Sequence, residues 1–348
     1  MAVARQVPDI SEAEKVAALR QPASFPEPTR SVQAIETHMS WVFLTDTHAY
    51  KLKKPVRLDE LDFSSVSARH FYCLEELRLN RRLAPSVYLE VVPLTRTEGR
   101  LRVAGTGQAL DWLVKMRRLP ATAMLDVLLE HGAATPAHMR MVAARLGEFY
   151  GGQPPAALTG AVYRRSLSRR IAENGHDLCD PAWHLPVAPI RAISRRQRLV
   201  LLHGADRFDA RLAAGRVIEA HGDLRPEHVY LGKPVAIIDC LEFSRELRTA
   251  DTADEIGFLA LECERAGAAP LGRELLRAYC EACNDTPPPS LIHFYQSVRA
   301  CTRARLAILH LREARYRESD KWPYRARQYL ALAALHLQGC SAAGGVTA

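Results

Sequence analysis

The sequence predicts an α+β chain of two lobes, a small antiparallel sheet with one helix followed by a larger, mainly helical lobe. Three observations predict it. Between Val32 and Arg118, short alternating apolar runs recur, separated by turns and a single helical stretch. Beyond Pro120 the apolar spacing becomes almost wholly helical. Between about residues 216 and 240, short apolar runs deliver acidic residues into loops set among those helices.

The 348 residues suffice for two lobes, each with its own core. The expected division is an N-terminal helix and connector over 1–30, a sheet lobe over 31–119 and a helical lobe over 120–348. With 25% charged and 48% hydrophobic residues, the composition is that of an ordinary soluble globular protein. No apolar run approaches the roughly 18–20 residues of a membrane span. The opening "MAVARQVPDISEAEKVAALR" is polar and has no apolar h-region, so the expectation is a cytoplasmic protein without a secretory signal.

The eight cysteines are scattered through apolar helical patterns and read as reduced, buried thiols. Cys280 and Cys283 form one CxxC, but no second pair completes a zinc set. The net charge of +8 is compatible with phosphorylated ligands or nucleic acid. Most basic residues are arginines, and the clustering of Lys51, Lys53 and Lys54 in "YKLKKP" is the more informative feature.

In chain order, Ser11 and Glu14 form a capping box at the start of a helix over 11–20, and "QPASFPEPTR" is a Pro-rich connector. "VQAIET", "SWVFLT" and "AYKLKKPV" are three antiparallel strands. A helix follows from about Val66 to Leu83 and ends before Pro85. "YLEVVPLT", "GRLRVA" and "ALDWLVKMRR" add two or three strands. Thr135 caps a helix with Pro136 in its first turn and Met139, Val142, Leu146 and Phe149 on one face. An Arg-rich helical region over 163–216 precedes the strand "RVIEA", and 250–285 and 290–338 again have helical spacing.

The candidate chemistry is metal-assisted phosphoryl transfer. It needs a cation on the nucleotide phosphates, oxygen ligands for a divalent metal and a group that orients the acceptor. Asp223, in "AHGDLRPEHVYL", would take or orient the acceptor's proton; its plain alternative is a turn cap before Pro226. Asp239 ends the apolar run "VAII", where a strand would present a hard oxygen ligand suited to Mg²⁺; its alternative is an ordinary strand-end turn. Lys51 or Lys53, on one face of one strand, would neutralise phosphates, or else protect a solvated edge. Glu75 or Glu76, on the next helix, could pair with that lysine.

"HGDLRPEHVYL … IIDCLEF" resembles the catalytic segment "HGDLHxxN … IDxE" of aminoglycoside phosphotransferase-like and choline-kinase-like enzymes. "THMSWVFLTDTHAYKLKKPV", "LEELRLNRRLAP" and "DCLEF" are more similar still to bacterial proteins of unknown substrate, some of them fused to a P-loop ATPase module. The similarity runs from about residue 10 to 335, and this sequence has no GxxxxGK[ST] run. The resemblance implies a bilobal, protein-kinase-like fold with ATP between the lobes. It implies Asp223 as catalytic base, Asp239 as metal ligand, Lys51 as phosphate lysine with Lys53 in reserve, and Glu76 as the lysine's helix partner. "LVKMRR", with Met116, would lead into the hinge and pair its backbone with adenine. His221 and Asp254 would be structural, Asp254 by anchoring the catalytic loop.

Two departures stand out. His228 replaces the family's Asn five residues after the base. Imidazole suits Mn²⁺ better than Mg²⁺, so His228 is either a ligand or a hydrogen-bonded loop residue, and Glu242 could supply the missing oxygen. The first hairpin turn, "ETHMSW", contains no glycine, leaving Thr37, His38 and Ser40 as its donors.

The expected function is thus an ATP-dependent phosphotransferase acting on a hydroxyl of a small molecule, with ATP and Mg²⁺ (or Mn²⁺ through His228) as cofactors. Arg165, Arg169, Arg299 and Arg303 are available to an anionic acceptor. The alternative is a weak or inactive pseudokinase that binds nucleotide or, as an interaction module, a protein partner. Arg-rich stretches such as "RAISRRQR" carry no reader motif or stacking series, which disfavours nucleic acid.

Overall fold

The computed structural model describes residues 10–58 and 61–340. The chain divides into two compact units, one running to Met124 and joined by Gly232–Arg245, the other Leu125–Leu231 with the chain from Glu246 onward. The first is a curled antiparallel sheet with helices, the second is mainly helical, and the class is α+β as expected.

In the first unit, α1 (Glu12–Leu19) opens on the expected capping box, with Glu14 N–H donating to Ser11 Oγ and Ser11 N–H to Glu14. The strands β1 (Gln33–Glu36), β2 (Ser40–Leu44) and β3 (His48–Lys53) follow, then the short pair β4 (Arg57–Leu58) and β5 (Leu61–Asp62). Helix α2 (Val66–Asn80) precedes β6 (Tyr88–Thr97), β7 (Arg100–Val103) and β8 (Ala109–Arg117).

The six-stranded sheet has the order β1-β2-β3-β8-β6-β7, so the last strand inserts beside β3. Alternation on β3 sends Tyr50 and Leu52 into a core with Val16, Leu19, Phe43 and Leu113. Its opposite face carries Lys51 and Lys53 towards Glu76 of α2. Asp111 of β8, almost fully buried, ties both helices to the sheet: Lys15 Nζ donates to it at 2.7 Å and the Arg69 guanidinium at 2.9 Å.

Helix α2 stops at Asn80 rather than Leu83. Asn80 turns its side-chain amide back onto Glu76 O (2.9 Å), and residues 82–84 tighten into turns that donate to Leu79 and Asn80 carbonyls.

In the second unit, α3 (Leu125–Glu130) is followed by α4 (Pro136–Gly151), capped by Thr135 as expected, with Met139, Val142, Leu146 and Phe149 buried. The Arg-rich region resolves into α5 (Gly160–Leu178), α6 (Val187–His203) and α7 (Ala205–Ala213). Pro181 and Pro186, which cannot donate a backbone N–H, lie in the first break.

Strand β9 (Val217–Glu219) leads to β10 (Val229–Tyr230). After β11 (Ala236–Ile237) of the first unit come α8 (Arg245–Arg248), β12 (Thr249–Asp251), α9 (Thr252–Arg265), α10 (Ala269–Cys283), α11 (Pro289–Leu309) and α12 (Lys321–Gly339). Strand β12 pairs antiparallel with β9. Helix α11 is buried along much of its length and runs past two apolar cores, one around Phe208 and Phe294, the other around Phe258, Leu261 and Tyr329.

Among the described residues the eight cysteines are all free, and no helix is long and apolar enough to cross a membrane.

Candidate functional site

The first unit gathers five of the residues singled out in the sequence into one cluster. Lys51 Nζ lies 2.9 Å from Glu76 Oε1 and 2.5 Å from Asp239 Oδ1. Lys53 Nζ donates to Glu76 Oε2 at 2.6 Å and also pairs with Glu242. One carboxylate of α2 therefore bridges two lysines two residues apart on β3, one on each oxygen. Glu75, the other candidate on that helix, pairs instead with Arg78 one turn on.

Two ammonium groups face three carboxylates here, which leaves the cluster with one net negative charge. The two lysines differ in access, since the Lys53 side chain is 0% exposed and that of Lys51 13%. Burial alone would lower the Lys51 pKa, but Asp239, Glu76 and Glu242 hold the ammonium well above its usual range. Burial would likewise raise that of Glu76, and the two lysines pull it below the usual carboxylate range.

Asp239 has φ +61°, the left-handed region, and this backbone is pinned from both sides. Its own N–H donates to the Tyr88 hydroxyl (3.0 Å), and the N–H of Cys240 donates to Asn80 Oδ1 (2.8 Å). Asn80 is fully buried and spends its amide on Glu76 O, so one side chain joins the end of α2 to the Asp239 turn. Asn80 and Tyr88 escaped the sequence reading; "LRLN" and "YLEVV" look like ordinary helix end and strand start.

Met116 is buried on β8, in register with Ala49 of β3 and Tyr88 of β6. The glycine-free turn is closed by Thr37, whose hydroxyl accepts from Ser40 N–H (3.0 Å) and donates to Ser40 O (2.8 Å).

The second unit holds Asp223 and His228. The loop leaves β9 through Gly222, whose φ of +88° demands glycine, and both sides of that residue are fixed. Glu255 of α9 accepts the N–H groups of His221 (2.8 Å) and Gly222 (2.6 Å), and Arg299 donates to Gly222 O (3.0 Å). The resemblance gave Asp254 the anchoring role. In the structure Asp254 grips Arg299 at 2.8 Å through both oxygens and so acts through it, while the direct anchor is Glu255. Burial holds the Glu255 carboxyl above its usual range despite its donors.

Asp223 accepts from Arg225 Nε at 2.9 Å. Burial would raise its pKa, but Arg225, His228, Arg303 and His221 overcome that and bring it down to about 2. Arg225 also pairs with Glu227 and reaches His228 Nε2 at 3.2 Å. His228 Nδ1 lies 2.8 Å from Asp223 O, which only an N–H on that nitrogen can satisfy, leaving Nε2 to accept from Arg225. Both ring nitrogens thus face partners within the loop. Of the four arginines noted in the sequence, Arg299 is taken by Asp254, Arg169 pairs with Glu246 and Glu173, Arg165 is exposed, and Arg303 helps to lower the Asp223 pKa.

Among the described residues no group of three His, Cys, Asp or Glu side chains could by itself hold a metal ion. Asp239, 44% exposed at its side chain, presents hard oxygens of the kind that Mg²⁺ takes, an ion that uses one or two protein carboxylates.

No family model matches the chain. It is 30% identical over 309 residues to uncharacterized proteins of Mycobacterium bovis and Mycobacterium tuberculosis, a match covering 87% of this chain and 59% of each relative. The chain therefore spans about three fifths of the length of these curated relatives.

Among solved structures it is similar to a choline/ethanolamine kinase family protein from Mesorhizobium loti (TM-score 0.54, 16% identity, 94% of this chain and 99% of that one). It is also similar to an aminoglycoside phosphotransferase mutant in ternary complex with AMP-PNP and hygromycin B (TM-score 0.53, 10% identity, 97% and 100%). A spectinomycin phosphotransferase in complex with AMP is a third (TM-score 0.51, 10% identity, 92% and 97%). The chain has the protein-kinase-like fold of these small-molecule kinases.

Proposed function

We propose that this protein is an ATP-dependent phosphotransferase that moves the terminal phosphate of a nucleotide to a hydroxyl of a small molecule. The observation that carries the reading is the Lys51–Glu76–Lys53 arrangement with Asp239 and Glu242 in the same cluster. A lysine held by a buried carboxylate beside an accessible aspartate is what binding a metal–nucleotide requires. The fold, shared with kinases whose structures hold AMP-PNP or AMP, supports nucleotide as the donor.

In this reading Lys51 neutralises phosphate charge, and Lys53, wholly buried, braces Glu76. Asp239 would hold Mg²⁺, which would supply positive charge against the negative charge that develops in phosphoryl transfer. Glu242 is committed to Lys53 and braces the cluster. His228 braces the loop through its two hydrogen bonds, which favours Mg²⁺ over Mn²⁺. Asp223 stays ionised and orients the acceptor hydroxyl. A pKa near 2 makes it a weak base, which suits a loose transition state in which the proton leaves late. Met116 lies on the strand that leads into the hinge, whose backbone would pair with adenine.

The test is transfer of ³²P from labelled ATP to an extract of small metabolites by the full chain with Mg²⁺, set beside Asp239→Asn and Asp223→Asn. Labelled product from the wild type, lost in both variants, supports the reading. Nucleotide binding without any labelled product would leave a nucleotide-binding module.

A further inference from the structure

The second unit contains a cavity of about 760 Å³ that none of the roles above uses. It lies where α5 and α6 cross. The helices approach closely there because Gly175 has no side chain, and a Cβ at that position would sit 2.8 Å from Ser194 Oγ. The volume is within the range of small-ligand sites.

Its wall is basic in a patterned way. Arg191, Arg195 and Arg198 of α6 all line it. Their spacing of i, i+4 and i+7 places them on one helix face over about 10 Å. Arg312, beyond the end of α11, lines it too, with its guanidinium 5.9 Å from the Trp183 ring.

Asp177 and Asp180 also line the cavity and only partly offset its four arginines. Asp177 is held by Arg305 at 2.5 Å, and Asp180 accepts the Ala182 N–H at 2.9 Å as the cap of a short turn. Among the described residues, Arg191, Arg195 and Arg198 pair with no carboxylate. The stretch "RAISRRQR" is thus one wall of a concave basic site. None of the residues that line the cavity belongs to the loop of Asp223, so the cavity is distinct from that loop.

We propose that this cavity binds a small polyanion carrying at least two phosphate-like groups, at a site distinct from phosphoryl transfer. Guanidinium forks suit phosphate oxygens, and three of them spread over two helical turns suit two linked groups better than one. The cavity opens to solvent and its four arginines are exposed, and its volume is that of a small-molecule site rather than of an extended groove for a nucleic-acid strand.

The experiment is calorimetric titration of the full chain with inorganic pyrophosphate at low and moderate salt. Wild type, Arg195→Gln/Arg198→Gln, Lys51→Met and the control Arg165→Gln are compared, with circular dichroism confirming folding of each. A binding event that persists in Lys51→Met and Arg165→Gln but weakens at least tenfold in the double variant supports the site. Pyrophosphate binding abolished by Lys51→Met, or unchanged in the double variant, overturns it. Binding of a 20-nucleotide single-stranded RNA that depends on Arg195 and Arg198, with no pyrophosphate binding, also overturns it and marks a nucleic-acid surface.

Discussion

Lys51 Nζ and Asp239 Oδ1 lie 2.5 Å apart although 188 residues separate them in the chain. Glu76 holds the same ammonium from its other side at 2.9 Å, so the lysine rests between a buried carboxylate and an accessible one. The two lysines of β3 therefore differ in access to a ligand, and substitution separates them.

Lys51→Met is expected to fold and to lose nucleotide binding at least tenfold, because its ammonium is the one with access to a ligand. Lys53→Met leaves Glu76 and Glu242 short of a buried counter-charge and is expected to cost about 3–5 kcal/mol of stability. Urea unfolding alongside nucleotide titration checks both. Equal destabilisation by the two substitutions would contradict the assignment.

Asn80→Ala removes the acceptor of the Cys240 N–H and frees the Asp239 turn. The expected loss is about 1–3 kcal/mol, from one stranded buried donor. If the turn positions Asp239, the variant also raises the Mg²⁺ concentration needed for half-maximal activity. Loss of stability with an unaltered Mg²⁺ dependence would limit Asn80 to a structural part.

Asp223 titrates near 2, below its unfolded value of about 3.9. A depressed carboxylate pKa adds stability that is full above the unfolded value and fades as pH falls through the folded one, here between about 4 and 2. Arg225→Gln removes the largest of the opposing charges, so the Asp223 pKa should rise and the acid limb of the rate profile move to higher pH. A pH–rate profile unaffected by this substitution would argue that Asp223 does not govern the limb.

His228→Asn puts an oxygen donor where the imidazole stands. If His228 braces the loop, Mn²⁺ should give no advantage over Mg²⁺ in the wild type, and His228→Ala should lower turnover without altering metal preference. A wild-type preference for Mn²⁺ that His228→Asn converts to Mg²⁺ would make the histidine a ligand instead.

Glu255 accepts two backbone N–H groups on a single oxygen, and its burial disfavours charge. Glu255→Gln keeps a carbonyl oxygen for both donors and should retain most stability and activity, whereas Glu255→Leu should lose both. Gly222→Ala forces a Cβ into the left-handed region and should cost about 1–3 kcal/mol. Thermal melts of the three variants rank them.

Much of the architecture was legible in the sequence because its signals are local. Two-residue alternation marked β2, β3 and β8, the Ser11–Glu14 and Thr135–Pro136 pairs marked helix starts, and the acidic loops announced themselves by interrupting apolar runs. Less was legible where several breaks fell close together. The region 163–216 read as one helical stretch, and α2 read three residues too long because the turn made by Asn80 depends on a bond to its own helix.

By itself the sequence determined the residue types available for chemistry and the elements that carry them, since backbone periodicity and capping act over a few residues. Tertiary structure alone decided which of them meet. It brought Gly232–Arg245 into the first unit, set Glu76 rather than Glu75 against both lysines, and gave the Asp223 loop to Glu255 and Arg299. Those choices depend on burying charge, which costs free energy unless a partner from a distant part of the chain arrives at hydrogen-bonding distance, and nothing in local spacing records which partner that is.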